Sequence, residues 1–269
     1  MTQTISAAAN PALANNLIAQ ATAEKAEVRE AKILNPTENI VTLPGGYITF
    51  AGEIVTEAEV RELTGKDEEA IARASNTGKA LLTILQRGTV RVGDERADEK
   101  LLDRLLSGDR DALLLAILKA TFGNECNVPT YCPSCDEFKT VAVDLTEDIK
   151  VNFLNDPIAD RVFQVEGKNN MFTVQLPTGV TQKELIMNSD KSVPELNTIL
   201  LENTVVKIDN NPVLSKLQVQ NMGMVDRKKV VDEINKRVIG PKFDDLVVTC
   251  PDCESEVTVP INLGSLFRF

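Results

Sequence analysis

The sequence of 269 residues contains no histidine and no tryptophan. Without histidine the chain lacks the usual general base, the Ser-His and Cys-His nucleophile pairs, and every imidazole metal ligand. Catalytic mechanisms that depend on histidine are therefore excluded. No pair of acidic residues stands out from the other charges as an acid–base pair. The sequence thus predicts a protein that is not an enzyme.

Positively charged residues are fewer than negatively charged ones. The chain has 29 lysines and arginines against 40 aspartates and glutamates, which gives a formal net charge of -11. Because affinity for nucleic acids depends on basic faces, this composition predicts no nucleic-acid partner. The longest strongly apolar stretch, residues 112–117, is far shorter than the ~18 residues of a spanning helix. No membrane partner is predicted. The amino end does not resemble a secretory signal, so we expect folding in a reducing cytoplasm.

The amino-terminal segment differs in composition from the rest of the chain. Alanine is frequent there, and Leu13, Leu17 and Val28 lie on one side of a predicted helix that ends before Pro36. A weakly apolar helix of this kind is marginal unless it packs against another surface. We predict a helical docking arm over residues 1–39 that orders against a neighbouring subunit. The alternative is a frayed terminus.

Strand and turn signals begin near residue 40. The sequence predicts strands at 40–43 and 47–50, separated by a turn at Pro44-Gly45-Gly46. Thr56, followed by acidic residues, predicts the start of a helix. Further helices are predicted at three places: 67–74, 78–86 and 97–106.

A strongly apolar helix is predicted after these elements. Asp109 is expected to cap its start, and Phe122-Gly123 marks its end. Because this helix is apolar nearly all round, we expect it in the centre of a core.

Two parts of the sequence resemble each other. Residues 132–145, CPSCDEFKTVAVDL, align without a gap with residues 250–263, CPDCESEVTVPINL. Upstream, Asp109-Arg110 matches Asp226-Arg227, and residues 47–50 are matched with residues 171–174. The sequence therefore predicts an α+β fold of two tandem, helix-rich modules, each ending in a β-hairpin knuckle with the motif Cys-Pro-x-Cys. We place the first module at 40–150 and the second at 151–269.

Four of the five cysteines form two Cys-x-x-Cys pairs: Cys132, Cys135, Cys250 and Cys253. A pair on a tight turn between strands presents two thiolates on one side, and two such knuckles supply the tetrahedral ligand set of a structural Zn²⁺ site. The ion would join the two modules, so its binding energy would contribute to folding. The fifth, Cys126, is expected to be a packed or free thiol.

Three alternatives remain open at this point. The knuckles could be reduced and free of metal. The segment Tyr131-Cys-Pro-Ser-Cys135 is similar to a glutaredoxin motif, which would indicate a Cys-x-x-Cys redox protein. Glutaredoxins start a helix there, however, whereas the residues that follow alternate like a strand. A zinc-ribbon accessory protein of transcription or translation is the third alternative, and it requires a basic face that the composition does not offer.

Several segments together resemble the baseplate hub family of T-even-like contractile-tailed bacteriophages. The resemblance extends from about residue 40 to 269 and depends on these segments: 43–47, 64–68, 106–117, 122–125, both knuckles and the terminal Leu266-Phe267-Arg268. Family members often carry glycine after the second cysteine of a knuckle, where this chain has Asp136 and Glu254. The apolar residues at 263–269 are expected either to complete the protein's own core or to dock on a partner.

The resemblance implies a structural or assembly component of a phage tail baseplate hub that acts through protein–protein contacts. The implied partners are other tail and baseplate proteins, and several copies are expected in one assembly. The implied location is the tail baseplate of the virion, with the host cytoplasm as the place of assembly.

Overall fold

The computed structural model describes residues 38–243, 246–259 and 261–267, together with Ala12 and Asn15. The chain divides into two units, Met1–Asn35 and Pro36–Phe269. Apart from Ala12 and Asn15, which are helical, the predicted docking arm lies outside the described residues up to residue 37. The fold below is that of the second unit.

The first half of this unit is built on a four-stranded antiparallel sheet whose strands follow chain order: β1 (Glu38–Ile48), β2 (Ile54–Arg61), β3 (Thr89–Val92) and β4 (Glu95–Arg96). Two helices follow β2 and two follow β4: α1 (Gly65–Ile71), α2 (Thr77–Gly88), α3 (Glu99–Arg104) and α4 (Ser107–Phe122). A hairpin comes next, formed by β5 (Glu125–Cys132) and β6 (Glu137–Asp144).

The second half contains another four-stranded antiparallel sheet: β8 (Val162–Glu166), β9 (Met171–Gln175), β10 (Val205–Ile208) and β11 (Asn211–Pro212). Its helices again occur in pairs after the second and fourth strands: α5 (Gly179–Met187), α6 (Val193–Thr204), α7 (Lys216–Gln220) and α8 (Met224–Arg237). Strand β7 (Lys150–Asn152) pairs with β12 (Gly240–Lys242), and β13 (Leu246–Thr249) forms a hairpin with β14 (Glu256–Val259). A short 3₁₀ helix (Ala159–Arg161) precedes β8, and α9 (Leu263–Leu266) follows β14. Within the described ranges, no helix combines the length and apolarity that crossing a bilayer requires.

Helix α4 lies in the centre of the first hydrophobic core, as its apolar sequence predicts. Leu113 and Ile117 are fully buried there against side chains from the first sheet. The same core includes Val259, Ile261 and Phe267 from the carboxyl-terminal part of the chain. The apolar carboxyl-terminal segment thus completes the protein's own core at Phe267. A second core, built around Phe172, Val174, Leu201, Val230 and Ile234, lies under the second sheet.

Two predictions near the amino end of this unit were wrong. The predicted turn at Pro44-Gly45-Gly46 is a bulge inside β1, where the pairing register with β2 shifts and Gly46 has a φ of 70°. The predicted helix at Thr56 is strand β2, because pairing with β1 on one side and β3 on the other outweighs the local capping signal. By contrast, Asn76 caps α2 by accepting a hydrogen bond from the Lys79 amide at 2.9 Å.

The role predicted for Asp109 also needs correction. Leu106, not Asp109, is the N-cap of α4, and Asp109 lies in the first turn of the helix. Its side chain is fully buried and accepts a hydrogen bond from the Gly45 amide at 2.6 Å. Asp109 thereby holds the bulged part of β1 against α4.

The proposed match between residues 47–50 and 171–174 fails as well. Tyr47 and Ile48 end the first strand of their sheet, whereas residues 171–174 belong to β9, the second strand of its sheet. By position in the sheet, β9 corresponds to β2.

Candidate metal centre

Each cysteine pair lies on the turn of a hairpin, and both turns have the same backbone geometry. In the first, the Asp136 amide donates a hydrogen bond to the Cys132 carbonyl at 2.9 Å; in the second, the Glu254 amide donates to the Cys250 carbonyl at 3.0 Å. Asp136 and Glu254 adopt φ values of 57° and 59°. This left-handed conformation favours glycine, so both turns keep a tight shape without the residue that suits it best.

The two hairpins bring the four predicted cysteine sulfurs together. The Sγ atoms of Cys132 and Cys253 lie 3.6 Å apart, those of Cys135 and Cys250 lie 3.9 Å apart, and all four lie within 4.8 Å of one another. A tetrahedron with Zn–S bonds of ~2.3 Å has edges of ~3.8 Å. The separations therefore fit the ligand set of a tetrahedral, thiolate-selective ion.

Hydrogen bonds from the knuckles favour the thiolate form at two of the cysteines. The Cys135 amide and the Ser255 hydroxyl lower the pKa of the Cys132 thiol to about 6. The hydroxyl and the amide of Ser255 lower the pKa of the Cys253 thiol, whose sulfur is 2.9 Å from the hydroxyl oxygen. Cys135 shares a hydrogen bond with Cys253, and this raises its pKa to about 12. The cluster therefore carries part of the negative charge that a cation would neutralise.

An ion pair and apolar packing hold the two hairpins in this position. Lys139 of β6 contacts Asp252 of the second knuckle at 2.6 Å and Glu137 of its own strand at 2.6 Å. The two acidic groups raise the pKa of Lys139. Cys132 and Cys250 are buried together with Val257, whereas Cys253 is exposed. The site therefore has a buried side and a side open to solvent.

Cys126 does not join the cluster. It lies on β5, partly buried against the first core, in agreement with the prediction of a packed thiol. Among the described residues, the four-cysteine cluster is the one group of three or more potential ligand side chains that lie close together.

The structure does not favour the redox alternative. A glutaredoxin-type motif starts a helix, but here the chain after Cys135 turns into strand β6. Sequence reasoning also missed contributors to the site. Ser255 supplies hydrogen bonds to sulfur, and Lys139 and Asp252 bridge the hairpins. The sequence does contain a signal for Ser255. This residue lies two positions after Cys253, where a turn directs polar groups toward the sulfurs.

Comparison with known proteins gives a family match. Residues 40–240 match a family model described as T4 bacteriophage base plate protein. The matched range covers about three quarters of the chain and includes the first knuckle but not the second. No curated protein and no solved structure matches the chain.

Proposed function

Because the chain belongs to the T4 bacteriophage base plate protein family, which assigns it a structural role in the phage baseplate, we propose that it acts in the hub of the tail baseplate. In this proposal it is a structural or assembly component of the hub. It works through contacts with other tail proteins and carries a structural zinc ion. The observation that carries the assignment is the family match over residues 40–240.

We propose that the chain consists of two copies of one module, and the order of elements supports this. Helices α2 and α6 each have 12 residues, and each continues directly into a strand. Gly123 and Gly240 follow the long helices of the two halves with φ values of 90° and 95°. The offset between matching elements stays at 116 to 117 residues from α2 to these glycines.

Matching contacts support the duplication further. The Arg110 guanidinium donates to the Leu102 carbonyl at 3.3 Å, and Arg227 donates to the Val219 carbonyl at 3.0 Å. Both members of the second pair lie 117 residues beyond those of the first. Asp226, the counterpart of Asp109, likewise accepts a main-chain hydrogen bond, from the amide of Lys168 in the loop between β8 and β9, at 2.7 Å. A shared order of helices and strands would not by itself produce equivalent side-chain contacts at equivalent positions, so these contacts are separate support for the duplication.

In the proposed function, zinc fixes the carboxyl-terminal part of the chain to the first module. Cys132, Cys135, Cys250 and Cys253 would hold the ion, which supplies bonds between hairpins that are distant in sequence. The second hairpin ends at Val259, which packs in the first core together with Ile261 and Phe267. Ion binding and burial of this segment therefore stabilise the same closed arrangement.

We place the modules at residues 40–150 and 151–269, and residues 1–39 act as a docking arm toward neighbouring subunits. Several copies assemble in the tail baseplate of the virion, and the host cytoplasm is the place of assembly. Nucleic acids and membranes are not partners in this proposal. The net charge of -11 supports the first of these exclusions.

The metal content of the purified protein, measured by plasma mass spectrometry with native thiol titration, tests the zinc site. We expect one zinc per chain, four thiols protected until a chelator is added, and Cys126 titrating independently. Cys→Ser at any of the four paired positions should lower the melting temperature and release zinc, because a ligand is lost.

Cys126→Ser is the matched control, since it removes a thiol from the same hairpin without touching the cluster. Equal thermal stability for all five serine variants would rule out the zinc site. Two thiol pairs that oxidise reversibly, in protein without metal, would favour redox chemistry instead.

A further inference from the structure

The two halves of the chain meet at a contact between the start of α4 and residues 177–179, which we call the internal junction. The Ser107 amide donates to the Pro177 carbonyl at 2.9 Å, and the Gly179 amide donates to the Leu105 carbonyl at 2.8 Å. Leu106 and Thr178 form an antiparallel bridge between these hydrogen bonds. Main chain therefore meets main chain, as at the edge of a sheet.

The segment after α8 completes the internal junction. Ile239 packs with Leu106 in a small buried cluster, and Gly240 lies against the backbone of Gly108. A Cβ atom added at Gly108 would overlap the Ile239 carbonyl oxygen, and one added at Gly179 would overlap the Arg110 guanidinium. The glycines of the junction are thus required by close approach.

The first half carries counterparts of the segments that the second half contributes to the internal junction. Under the proposed duplication, residues 63–65 correspond to 177–179, and Phe122-Gly123 corresponds to Ile239-Gly240. Of these counterparts, residues 63–65 and Phe122 line a groove of about 340 Å³, which we call the Gly65 groove. Its lining residues are Leu63, Thr64, Gly65, Glu68, Ile71, Thr121, Phe122 and Phe267.

Three of these counterparts are exposed, whereas the residues to which they correspond are buried. Phe122 is 63% exposed, and Gly65 and Gly123 are exposed as well, whereas Gly179, Ile239 and Gly240 are buried. A Cβ added at Gly65 or Gly123 would meet no atom of the described part of the chain within 4 Å. Packing against the described residues thus gives no reason for glycine at residue 65, although its counterpart Gly179 is required by close approach.

The second half carries the counterpart of the start of α4. Gly223, Met224 and Val225, which we call the Met224 face, correspond to Leu106, Ser107 and Gly108. Met224 is 87% exposed and Val225 is 70% exposed, although Leu106 and Gly108 are buried. Each half therefore has one surface that is buried in the internal junction. Each half also carries the counterpart of the surface that the other half buries there, and this counterpart is exposed.

We propose that the Gly65 groove of one copy of this chain receives the Met224 face of a second copy, in a contact that repeats the internal junction between chains. The inference rests on the duplication in the proposed function. The groove provides space for the side chain of Val225, which replaces Gly108 of the original contact. Such a contact is heterologous, so it generates a ring where the rotation closes and an open array where it does not.

Sedimentation velocity of the full-length, zinc-loaded protein over a wide range of concentrations tests this contact. We expect the wild type to form species heavier than the 29.4 kDa chain as its concentration rises. Gly65→Glu in the groove and Val225→Asp on the face should each abolish these species. Both substitutions place an acidic residue in the first turn of a helix, which the helix tolerates.

A mixture of the two variants provides the decisive result. Gly65→Glu keeps an intact Met224 face and Val225→Asp keeps an intact groove, so one contact can form between unlike chains. We expect the mixture to form a species with the mass of two chains and nothing larger. Ile158→Asp, at an apolar residue that is 58% exposed elsewhere, is the control and should associate like the wild type.

Three results would overturn this proposal. They are a wild type that sediments as a single chain at every concentration, variants that associate normally, and a mixture that stays monomeric. Association that begins only after removal of residues 268 and 269 would also overturn it, because the chain's own end would then fill the groove. Zinc content and melting temperature, measured on the same samples, report separately on the proposed function.

Discussion

Two residues of the knuckles have a left-handed backbone conformation at positions where glycine would be more favourable. Asp136 and Glu254 have positive φ values at equivalent places. Aspartate tolerates this conformation better than most residues, and the Tyr131 hydroxyl donates a hydrogen bond to the Asp136 carboxylate. Glu254 is exposed, and within the described ranges no side-chain hydrogen bond compensates it as the one from Tyr131 does Asp136. The second knuckle therefore bears the larger backbone strain.

Replacement of the second of these residues, Glu254→Gly, should stabilise the protein. Relief of the left-handed strain outweighs the extra freedom of glycine in the unfolded chain, for a net gain of about 1 kcal/mol. Denaturant unfolding of the zinc-loaded protein measures this gain. Asp136→Gly is the matched control and should give a smaller gain or a loss, because the bond from Tyr131 disappears. A decrease in stability for Glu254→Gly would contradict this account of the turn.

The buried carboxylate of Asp109 predicts an unusual dependence of stability on pH. Burial raises its pKa to about 7, against the lowering effects of the Gly45 amide and the Arg161 charge. A carboxyl group whose pKa is higher in the folded than in the unfolded state contributes stability at low pH. That contribution is lost as the pH rises from about 4 through about 7.

The variant Asp109→Asn should remove this dependence. Asparagine keeps an acceptor for the Gly45 amide but carries no charge, so the variant gains stability relative to the wild type as the pH rises. The relative gain should reach ~4 kcal/mol above pH 7. Urea unfolding of both proteins at several pH values gives the difference. A difference that is constant across this pH interval would show that the wild-type carboxyl group is ionised throughout.

At the level of elements, the sequence predicted most reliably the helices and strands whose conformation is determined by nearby residues. The knuckle strands β6 and β14 follow from alternating valines after each cysteine pair, and α4 follows from a long apolar run closed by Gly123. Helix α2 lies where the sequence predicts a helix from residue 78, and Asn76 caps its start. In each case the deciding residues lie within a few positions of the element they define.

Elements whose state depends on distant partners were the ones that failed. Thr56 carries a local helix signal, yet β2 pairs on both sides and is the second strand of its sheet. Pro44-Gly45-Gly46 has the composition of a turn, but Asp109 of α4 holds it as a bulge in a continuous strand. Neither the second strand partner nor the buried aspartate is visible from the neighbouring sequence.

At the scale of the whole molecule, the carboxyl-terminal segment is shared between the proposed modules. The sequence assigns the second knuckle and the residues after it to the second module, whereas Val259, Ile261 and Phe267 pack in the first core. The cysteine motifs correctly predicted that the two knuckles meet. They could not predict which core the following residues enter, because both cores offer apolar surface of the same kind.

The last prediction concerns the amino-terminal arm, whose proposed role is docking rather than folding. The buried apolar side chains of the described residues begin at Leu43, so deletion of residues 1–35 should remove no part of either core. We expect the truncated protein to keep its zinc and its melting temperature. In cells infected by a phage that lacks the wild-type protein, it should fail to enter tails, as detected by immunoblot of purified particles.

A full-length variant tests whether docking depends on the apolar side of the arm itself, because it changes that side and keeps residues 1–35. Leu13→Asp, Leu17→Asp and Val28→Asp together place charge on the predicted apolar side of the arm. This variant should be excluded from tails as completely as the truncated chain, because a docking helix binds through its apolar side. Normal incorporation of the truncated chain would refute the docking role. A lower melting temperature would instead show that the arm contributes to the stability of the fold.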